Sequence, residues 1–153
     1  MATDMPRTVT IRVAADCPSG TRTDVAAGRH TMTMDEPPAR HGRDEGLLPL
    51  QALMGSLCGC SNVVANWIAA DLGIALSGMS FEVAATLDTN SITGKERSDP
   101  PFPEIELKVE VTATGTDAQI AALKEQLAWR CPVSATFRLA GTKIDETWTV
   151  HRA

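Results

Sequence analysis

The chain has 153 residues, four of them cysteines, and a formal net charge of -5 at pH 7. A chain of this length falls in the usual range for one domain and can bury about two-thirds of its unfolded surface. Its 14 lysines and arginines are scattered along the sequence, which excludes the concentrated basic surface of a nucleic-acid-binding protein. We therefore predict a single domain over residues 1–153 with no nucleic-acid partner.

The N-terminal sequence MATDMPRTVTIRV lacks the basic start and apolar stretch of a secretory signal peptide. This pattern predicts a cytoplasmic protein, in a compartment that keeps thiols reduced. The four cysteines then point to packing, metal-binding or catalytic roles and not to a disulfide framework.

The N-terminal third has the pattern of short β-strands. Over residues 8–15, Val9, Ile11 and Val13 alternate with polar residues, which predicts a strand with one buried face. Pairs of turn residues separate the segments that follow. Two further extended segments and a charged loop are predicted at 21–25, 30–38 and 39–46.

An uncharged run begins at Leu47 and predicts a long helix over residues 49–72. Pro49 suits the first helical turn, and Gly73 offers a C-terminal cap. Polar side chains interrupt the run and no basic residue flanks it, so we predict a buried central helix and no membrane span. The small residues on one side, which would let another helix approach closely, are Ala52, Gly55, Ser56 and Gly59.

The second half of the chain mixes strands and helices in blocks, which favours an α+β fold. Residues 79–88 and 103–115 alternate cleanly and predict two strands of an antiparallel sheet. The polar loop 89–102 between them is a candidate lid. The remaining predicted elements are a helix from Thr116 or Asp117 to about Arg130, a short helical turn through Phe137 and a strand over 142–150.

Two of the cysteines, Cys58 and Cys60, lie two residues apart on the predicted long helix. Side chains at that spacing point about 200° apart, so the pair cannot share one metal ion. The histidines are His30, His41 and His151; they are far apart in sequence, so we predict no metal site and no cofactor. Spacing alone leaves Cys60 equally compatible with core packing and with function.

Cys131 stands immediately before Pro132, where a short helical turn is predicted to begin. The unpaired N–H groups and the positive dipole end of a helix favour a thiolate at this place. Arg130 could add to that field. Cys17 is predicted to be a loop thiol without function. Residue context therefore leaves Cys60 and Cys131 as a candidate pair, with nothing that brings them together.

Three segments in order resemble the OsmC/Ohr family of thiol peroxidases. They are GRHTMTMDEPP at 28–38, PLQALMGSLCGC at 49–60 and RCPVS at 130–134. The resemblance implies an α+β domain with antiparallel sheets around a long buried central helix. It also implies that two copies intertwine into a homodimer with an active site at the subunit interface, and the small-residue side of the long helix agrees with this.

The chemistry that this resemblance implies uses two cysteines and no cofactor. Cys60 would be the peroxidatic thiol, which attacks an organic hydroperoxide or hydrogen peroxide and becomes a sulfenic acid. Cys131 would be the resolving thiol, which converts the sulfenic acid into a disulfide. A dithiol reductant would then reopen the disulfide.

Hydroperoxide-reducing members of the family hold the thiolate with an arginine from the N-terminal hairpin, and a glutamate at the start of the central helix orients that arginine. Arg22 is the closest match for the arginine, but the glutamate position falls on Leu50. Other candidates are Arg40 and Arg43 for the cation and Asp35 and Glu36 for the carboxylate. The missing glutamate keeps a second function open, that of a stress-associated or small-molecule-binding protein with little peroxidase activity.

Overall fold

The computed structural model describes residues 7–153, in which two three-stranded sheets and three α-helices are found. The α+β class predicted from the sequence is confirmed. The chain divides into two compact units, the first ending at Gly55 and the second spanning Ser56–Ala153. The single domain over 1–153 stays a prediction. The prediction of a cytoplasmic location used the N-terminal sequence, and residues 1–6 of it lie outside the described residues.

The first unit contains one antiparallel sheet in the order β1-β2-β3. The segments predicted around 21–25 and 30–38 are both strands, and a 3-10 turn at Pro38–Arg40 follows the second. The strands are β1 (Ala14–Asp16), β2 (Thr23–Ala27) and β3 (His30–Met34).

The strand predicted over residues 8–15 is wrong for most of its length. Only Ala14–Asp16 is paired, and the alternating side chains of Val9, Ile11 and Val13 are 58, 87 and 66% exposed. Alternation predicts an apolar face, but a strand also needs a neighbouring strand to satisfy its backbone. No part of the described chain supplies one to these residues.

A buried carboxylate organises the loop after β3. Asp35 is 1% exposed, and its side chain accepts the backbone N–H groups of Glu36 at 2.8 Å, Arg43 at 2.9 Å and Glu45 at 3.4 Å. The loop is tight, because a Cβ at Gly42 would lie 1.7 Å from the carbonyl oxygen of Glu36. The charged loop predicted over 39–46 is therefore an ordered turn around one side chain.

The second unit carries most of the regular structure. The long helix predicted over 49–72 is observed as α1 (Pro49–Asp71), which begins in the first unit. It ends before Gly73, whose backbone φ is 69°. Thr116 caps the next helix through a capping box with Gln119. The further elements are β4 (Leu76–Thr86), β5 (Glu104–Ala113), α2 (Asp117–Arg130), α3 (Pro132–Leu139) and β6 (Lys143–Arg152).

The second sheet has the order β4-β5-β6 and is mixed. Its strands β4 and β5 pair antiparallel, as predicted, with Phe81 opposite Val109. Its strand β6 runs parallel to β5, with Trp148 beside Val109, so the prediction of purely antiparallel sheets is corrected. The physical reason is the connection, because α2 and α3 carry the chain across the sheet before β6, and such crossovers join parallel strands.

The core of the second unit lies between α1, α2 and the inner face of β5. The alternating residues predicted for β5 are all buried. By length and composition alone α1 could cross a membrane, but one face of it packs into this core, as in core helices of soluble proteins. The other face is open and includes Gly55, Ser56 and Gly59. The core residues of α1 are Val64, Ala65, Ile68 and Ala69, and they pack with Val111, Ala113, Ile120, Leu123, Leu127 and Cys131.

Candidate active site

Cys60 packs against the core cluster that contains Cys131, and the side chain of Cys131 raises the pKa of Cys60. Cys60 projects from the middle of α1, and Cys131 occupies the junction between α2 and α3. All four cysteines of the chain are free thiols. The fold therefore brings together the two cysteines that the residue context alone could not connect.

Cys131 is the N-cap of α3. Its sulfur accepts the backbone N–H of Ser134 at 3.5 Å, and the hydroxyl oxygen of Ser61 lies 3.6 Å from the same sulfur. The first N–H groups of a helix have no partner within the helix, so an acceptor at the cap position stabilises it. The predicted short helix after Cys131 is confirmed, and the thiol itself is 0% exposed.

The environment of Cys60 favours the neutral thiol. Burial raises the pKa of Cys60, and the hydrogen bond with Cys131 raises it further, while the backbone N–H of Val133 acts in the opposite direction. The side chain is half-buried and not enclosed. A cation would therefore be needed to hold Cys60 as a thiolate at neutral pH.

The other two cysteines have different surroundings. Cys58 is half-buried, and burial raises the pKa of its thiol. Cys17 is an exposed thiol after β1, with its sulfur 3.6 Å from the hydroxyl oxygen of Thr23. Cys17 keeps the interpretation of a loop thiol without function that the sequence suggested.

Arg22 belongs to the first unit, where two carboxylates hold its guanidinium. Its Nε donates to both carboxylate oxygens of Asp24 at 3.0 and 3.2 Å, and its Nη1 donates to Glu45. The hydrogen bonds to Asp24 and Glu45 raise the pKa of Arg22. In turn, the hydrogen bonds that Asp24 accepts from Arg22 and Thr33 lower the pKa of Asp24. A cavity of about 290 Å³ opens beside this cluster, lined by Pro18, Ser19, Arg22, Asp24, Asp35, Arg43 and Glu45.

The carboxylate candidates for Arg22 named from the sequence are corrected. Asp35 takes backbone N–H groups, and Glu36 pairs with Arg40 at 2.9 Å. The residues that hold Arg22 are Asp24 and Glu45. Asp24 had a usable signal, because it stands two residues after Arg22 in the chain, at the start of β2. Glu45 had no such signal, because it reaches Arg22 only through the fold of the loop that Asp35 organises.

Arg130 was expected to add to the field at Cys131, and the structure gives its charge another partner. Its guanidinium pairs with Asp71 at 2.9 Å and with the side chain of Gln126 at 2.9 Å. These bonds join the ends of α1 and α2. The helix terminus and the hydroxyl of Ser61 therefore make up the polar surroundings described for the sulfur of Cys131.

Ser61 is a site residue that sequence reasoning missed. It is 1% exposed, and its hydroxyl points to Cys131 from the buried face of α1. The available signal was a hydroxyl directly after Cys60, at a position surrounded by the apolar residues of a core helix. A polar side chain in such a place needs a partner.

A series of side-chain hydrogen bonds connects α3 to strand β6 of the second sheet. Arg138 donates to the hydroxyl oxygen of Ser134 at 3.3 Å and to Glu146 of β6 at 2.5 Å. Glu146 also accepts the indole N–H of Trp148 at 2.9 Å. Because Ser134 donates its backbone N–H to Cys131, this chain of bonds sets the position of the second thiol relative to β6.

The family model described as OsmC-like protein matches residues 42–147. This range contains α1, Cys60, Cys131, the strands β4 and β5 and half of β6. No curated protein matches the sequence.

Solved structures share the fold at low sequence identity. An OsmC like protein from Mycoplasma pneumoniae is 22% identical with a TM-score of 0.78, over 94% of this chain and 98% of that chain. An organic hydroperoxide resistance protein from Elizabethkingia anophelis is 16% identical with a TM-score of 0.63, over 97 and 100%. The organic hydroperoxide resistance protein OhrB of Bacillus subtilis is 18% identical with a TM-score of 0.57, over 93 and 98%.

Proposed function

Because the chain belongs to the OsmC-like protein family, we propose that it is a thiol-dependent peroxidase that reduces organic hydroperoxides or hydrogen peroxide through Cys60 and Cys131. The observation that carries the proposal is that Cys60 packs against the core cluster that contains Cys131, where the Cys131 side chain raises the pKa of Cys60. Two structures of the same fold are organic hydroperoxide resistance proteins, which supports this substrate class.

The proposed reaction uses the half-buried thiol first. The thiolate of Cys60 attacks the terminal oxygen of the hydroperoxide, the O–O bond breaks, and an alcohol or water leaves with a proton. Cys60 is then a sulfenic acid. The thiolate of Cys131 attacks that sulfur, a disulfide forms and water leaves. A dithiol returns two electrons and two protons to restore both cysteines.

Arg22 is the cation that we assign to Cys60. The raised pKa of Cys60 creates the need for a positive charge. Asp24 and Glu45 hold the guanidinium of Arg22 in one orientation, and the described bonds use only part of its fork of N–H donors. Glu45 would thereby replace the orienting glutamate that the chain lacks at Leu50.

A homodimer in the cytoplasm is the assembly that we propose. The open face of α1 carries glycines at which an added Cβ would meet nothing within 4 Å, namely Gly55 and Gly59. Such a face permits close approach of a second helix. The exposed alternating segment with Val9, Ile11 and Val13 is a second apolar surface that a partner subunit could cover.

The proposal is tested by peroxide turnover. Purified protein is mixed with tert-butyl hydroperoxide and dithiothreitol, and consumption of the peroxide is followed. We expect Cys60→Ser to abolish turnover, and Cys58→Ser, which changes the neighbouring thiol of the same helix, to retain it. Wild-type protein that consumes no peroxide, or a Cys60→Ser variant as active as wild type, would overturn the proposal.

Two observations favour a second function, a small-molecule-binding protein with little peroxidase activity. Burial and Cys131 both raise the pKa of Cys60, and Leu50 stands where a carboxylate was expected. Native mass spectrometry of protein purified without denaturation separates the two functions. A bound small molecule together with slow peroxide consumption would support the binding function, and rapid turnover by an unliganded dimer would support the peroxidase.

A further inference from the structure

We propose that the disulfide between Cys60 and Cys131 is reopened in one direction only. The reducing thiol attacks the sulfur of Cys60, and Cys131 leaves as a thiolate that Ser61 and the N-terminus of α3 receive. The inference deepens the proposed function and rests on it for the origin of the disulfide. It assigns Ser61 a role in the reductive half of the cycle.

Access to the two sulfurs is unequal. Cys131 is 0% exposed, whereas Cys60 is half-buried. A thiolate attacks a disulfide through a mixed-disulfide intermediate, so the attacked sulfur must be reachable from outside. The hydroperoxide must also reach Cys60, and the same opening admits the reductant. The sulfur of Cys131 lies behind it in the core.

The leaving sulfur is better supported at Cys131. In the dithiol form its sulfur accepts the N–H of Ser134 at 3.5 Å and lies 3.6 Å from the Ser61 hydroxyl. It also caps α3, an eight-residue helix whose positive end favours an anion. Hydrogen bonds to an anionic sulfur stabilise it, and a better stabilised thiolate leaves faster.

Cys60 has fewer groups of this kind. The described donor to its sulfur is the backbone N–H of Val133, whereas the sulfur of Cys131 faces the hydroxyl of Ser61 and the N-terminus of α3. If Cys60 were the leaving group, the new thiolate would appear at the less favourable of the two sulfurs. The two arguments, access and charge, therefore select the same direction of attack.

Ser61 is placed to assist this step. Its buried hydroxyl lies on the core face of α1, among the apolar residues Leu57, Val64 and Ala65, and the sulfur of Cys131 is its described side-chain partner. A hydroxyl can accept from the thiol of Cys131 and donate to the thiolate by rotating about one bond. The Ser61 hydroxyl can therefore accept from the Cys131 thiol in the reduced protein and donate to the Cys131 thiolate when the disulfide breaks.

The step balances as follows. The thiolate of a reductant forms a bond to the sulfur of Cys60, the Cys60–Cys131 bond breaks, and its electron pair stays on Cys131. A second reductant thiolate then attacks the reductant sulfur of the mixed disulfide and releases Cys60. Overall, two thiols of the reductant become one disulfide, and their two protons end on the two cysteines.

The first test locates the mixed disulfide. Protein with Cys17→Ser and Cys58→Ser is oxidised with diamide, so the disulfide forms without any peroxide chemistry, and diamide is then removed. Glutathione is added, and the reaction is stopped with acid at short times. The sample is alkylated and mapped by mass spectrometry. We expect glutathione on Cys60 and the alkyl group on Cys131.

Glutathione on Cys131, equal amounts on both cysteines, or no disulfide after diamide would overturn the directional proposal. The proposed peroxidase function is judged separately from peroxide consumption. Protein that consumes no peroxide but still opens with glutathione on Cys60 would remove the proposed function and leave the direction of opening intact.

The second test addresses Ser61 through the rate of opening. We expect Ser61→Ala to slow the reaction of the disulfide with glutathione by about tenfold, the effect of one hydrogen bond to a charged group. Ser61→Thr keeps the hydroxyl and should restore most of the rate. Thr136→Ala removes an exposed hydroxyl of α3 that bonds to Pro132 and should leave it unchanged. Equal rates for Ser61→Ala and Ser61→Thr would overturn the role of Ser61.

Discussion

The backbone N–H of Ser134 donates to the sulfur of Cys131 at 3.5 Å, so the cap of α3 is a thiol. Most helices are capped by a hydroxyl or carboxylate oxygen. Here the group that stabilises the helix end is the same group to which we assign the resolution of a sulfenic acid. The stability of α3 and the chemistry of the proposed site therefore depend on one atom.

Replacing Cys131 should make Cys60 more reactive. The hydrogen bond with Cys131 and the charge of its thiolate both raise the pKa of Cys60, so Cys131→Ser should lower that pKa, although burial still raises it. At pH 7 the thiolate fraction grows roughly tenfold for each unit by which the pKa falls. We expect alkylation of Cys60 by iodoacetamide to become several-fold faster, measured by peptide mapping in a Cys17→Ser, Cys58→Ser background.

The same measurement gives the pH dependence. Once the assigned cation is removed by Arg22→Ala, the rate of alkylation of Cys60 should rise with pH up to a value above the ordinary thiol pKa of 9.0, because burial disfavours the thiolate. A rate that is already constant from pH 7 upwards in Arg22→Ala would contradict the described surroundings of Cys60.

Acid should destabilise the first unit through Asp35. Burial raises the pKa of Asp35. Hydrogen bonds from the backbone N–H groups of Arg43, Glu36 and Glu45 and from the hydroxyl of Thr21 lower it by more, so the pKa of Asp35 lies below the ordinary 3.8. A lowered carboxyl pKa contributes stability above pH 3.8 that is lost as the pH falls through the folded-state value.

We expect Asp35→Asn to lower Tm by several degrees at pH 7, since an amide can accept fewer of these N–H groups. The variant should lose less Tm than wild type between pH 7 and pH 3. Thermal unfolding followed by circular dichroism at both pH values checks this, and two curves that fall in parallel would contradict the role of Asp35.

The loop around Asp35 should not tolerate a side chain at Gly42. An added Cβ would lie 1.7 Å from the carbonyl oxygen of Glu36, which is backbone and cannot move away cheaply. Gly42→Ala should lower the free energy of unfolding by about 1–3 kcal/mol or more. Gly20→Ala is the control, because its Cβ would meet nothing within 4 Å, and it should change stability by less than about 0.5 kcal/mol. Equal urea midpoints would refute the prediction.

The open face of α1 should matter for assembly. At Gly59 an added Cβ meets nothing within the single chain, so a larger side chain there leaves the fold intact and blocks only a second copy. We expect wild type to sediment as a dimer and Gly59→Leu to shift it to monomer with little change in its circular dichroism spectrum. Ala121→Leu, on the exposed side of α2, should remain dimeric. A monomeric wild type would rule the proposed dimer out.

The helices and the central strands could be predicted because their signals are local. The apolar run with Pro49 and Gly73 fixes both ends of α1, and alternation identifies β5. The strand predicted around Ile11 was wrong because strand formation there is not decided by a local signal. Its alternation is real, but strand formation depends on a partner, and none comes from the described chain. The parallel pairing of β6 depends on how the crossover packs, which no local pattern reports.

The site was predictable only in part. Pro132 indicated the helix start that places Cys131 at a cap, and the family resemblance supplied its partner Cys60. Ser61 and Glu45 were missed because each acts through a long-range contact, Ser61 on the sulfur of Cys131 and Glu45 on Arg22. Such contacts follow from the packing of α1 on α3 and from the loop that Asp35 organises, and neither is readable from residue spacing.

A single-turnover experiment decides whether Cys60 and Cys131 act as one redox pair. Reduced protein is mixed with one equivalent of tert-butyl hydroperoxide without reductant, quenched with acid, alkylated and mapped by mass spectrometry. We expect a Cys60–Cys131 disulfide as the main product, with Cys17 and Cys58 alkylated. Cysteines that all remain alkylated, or a disulfide that joins any other pair, would contradict it.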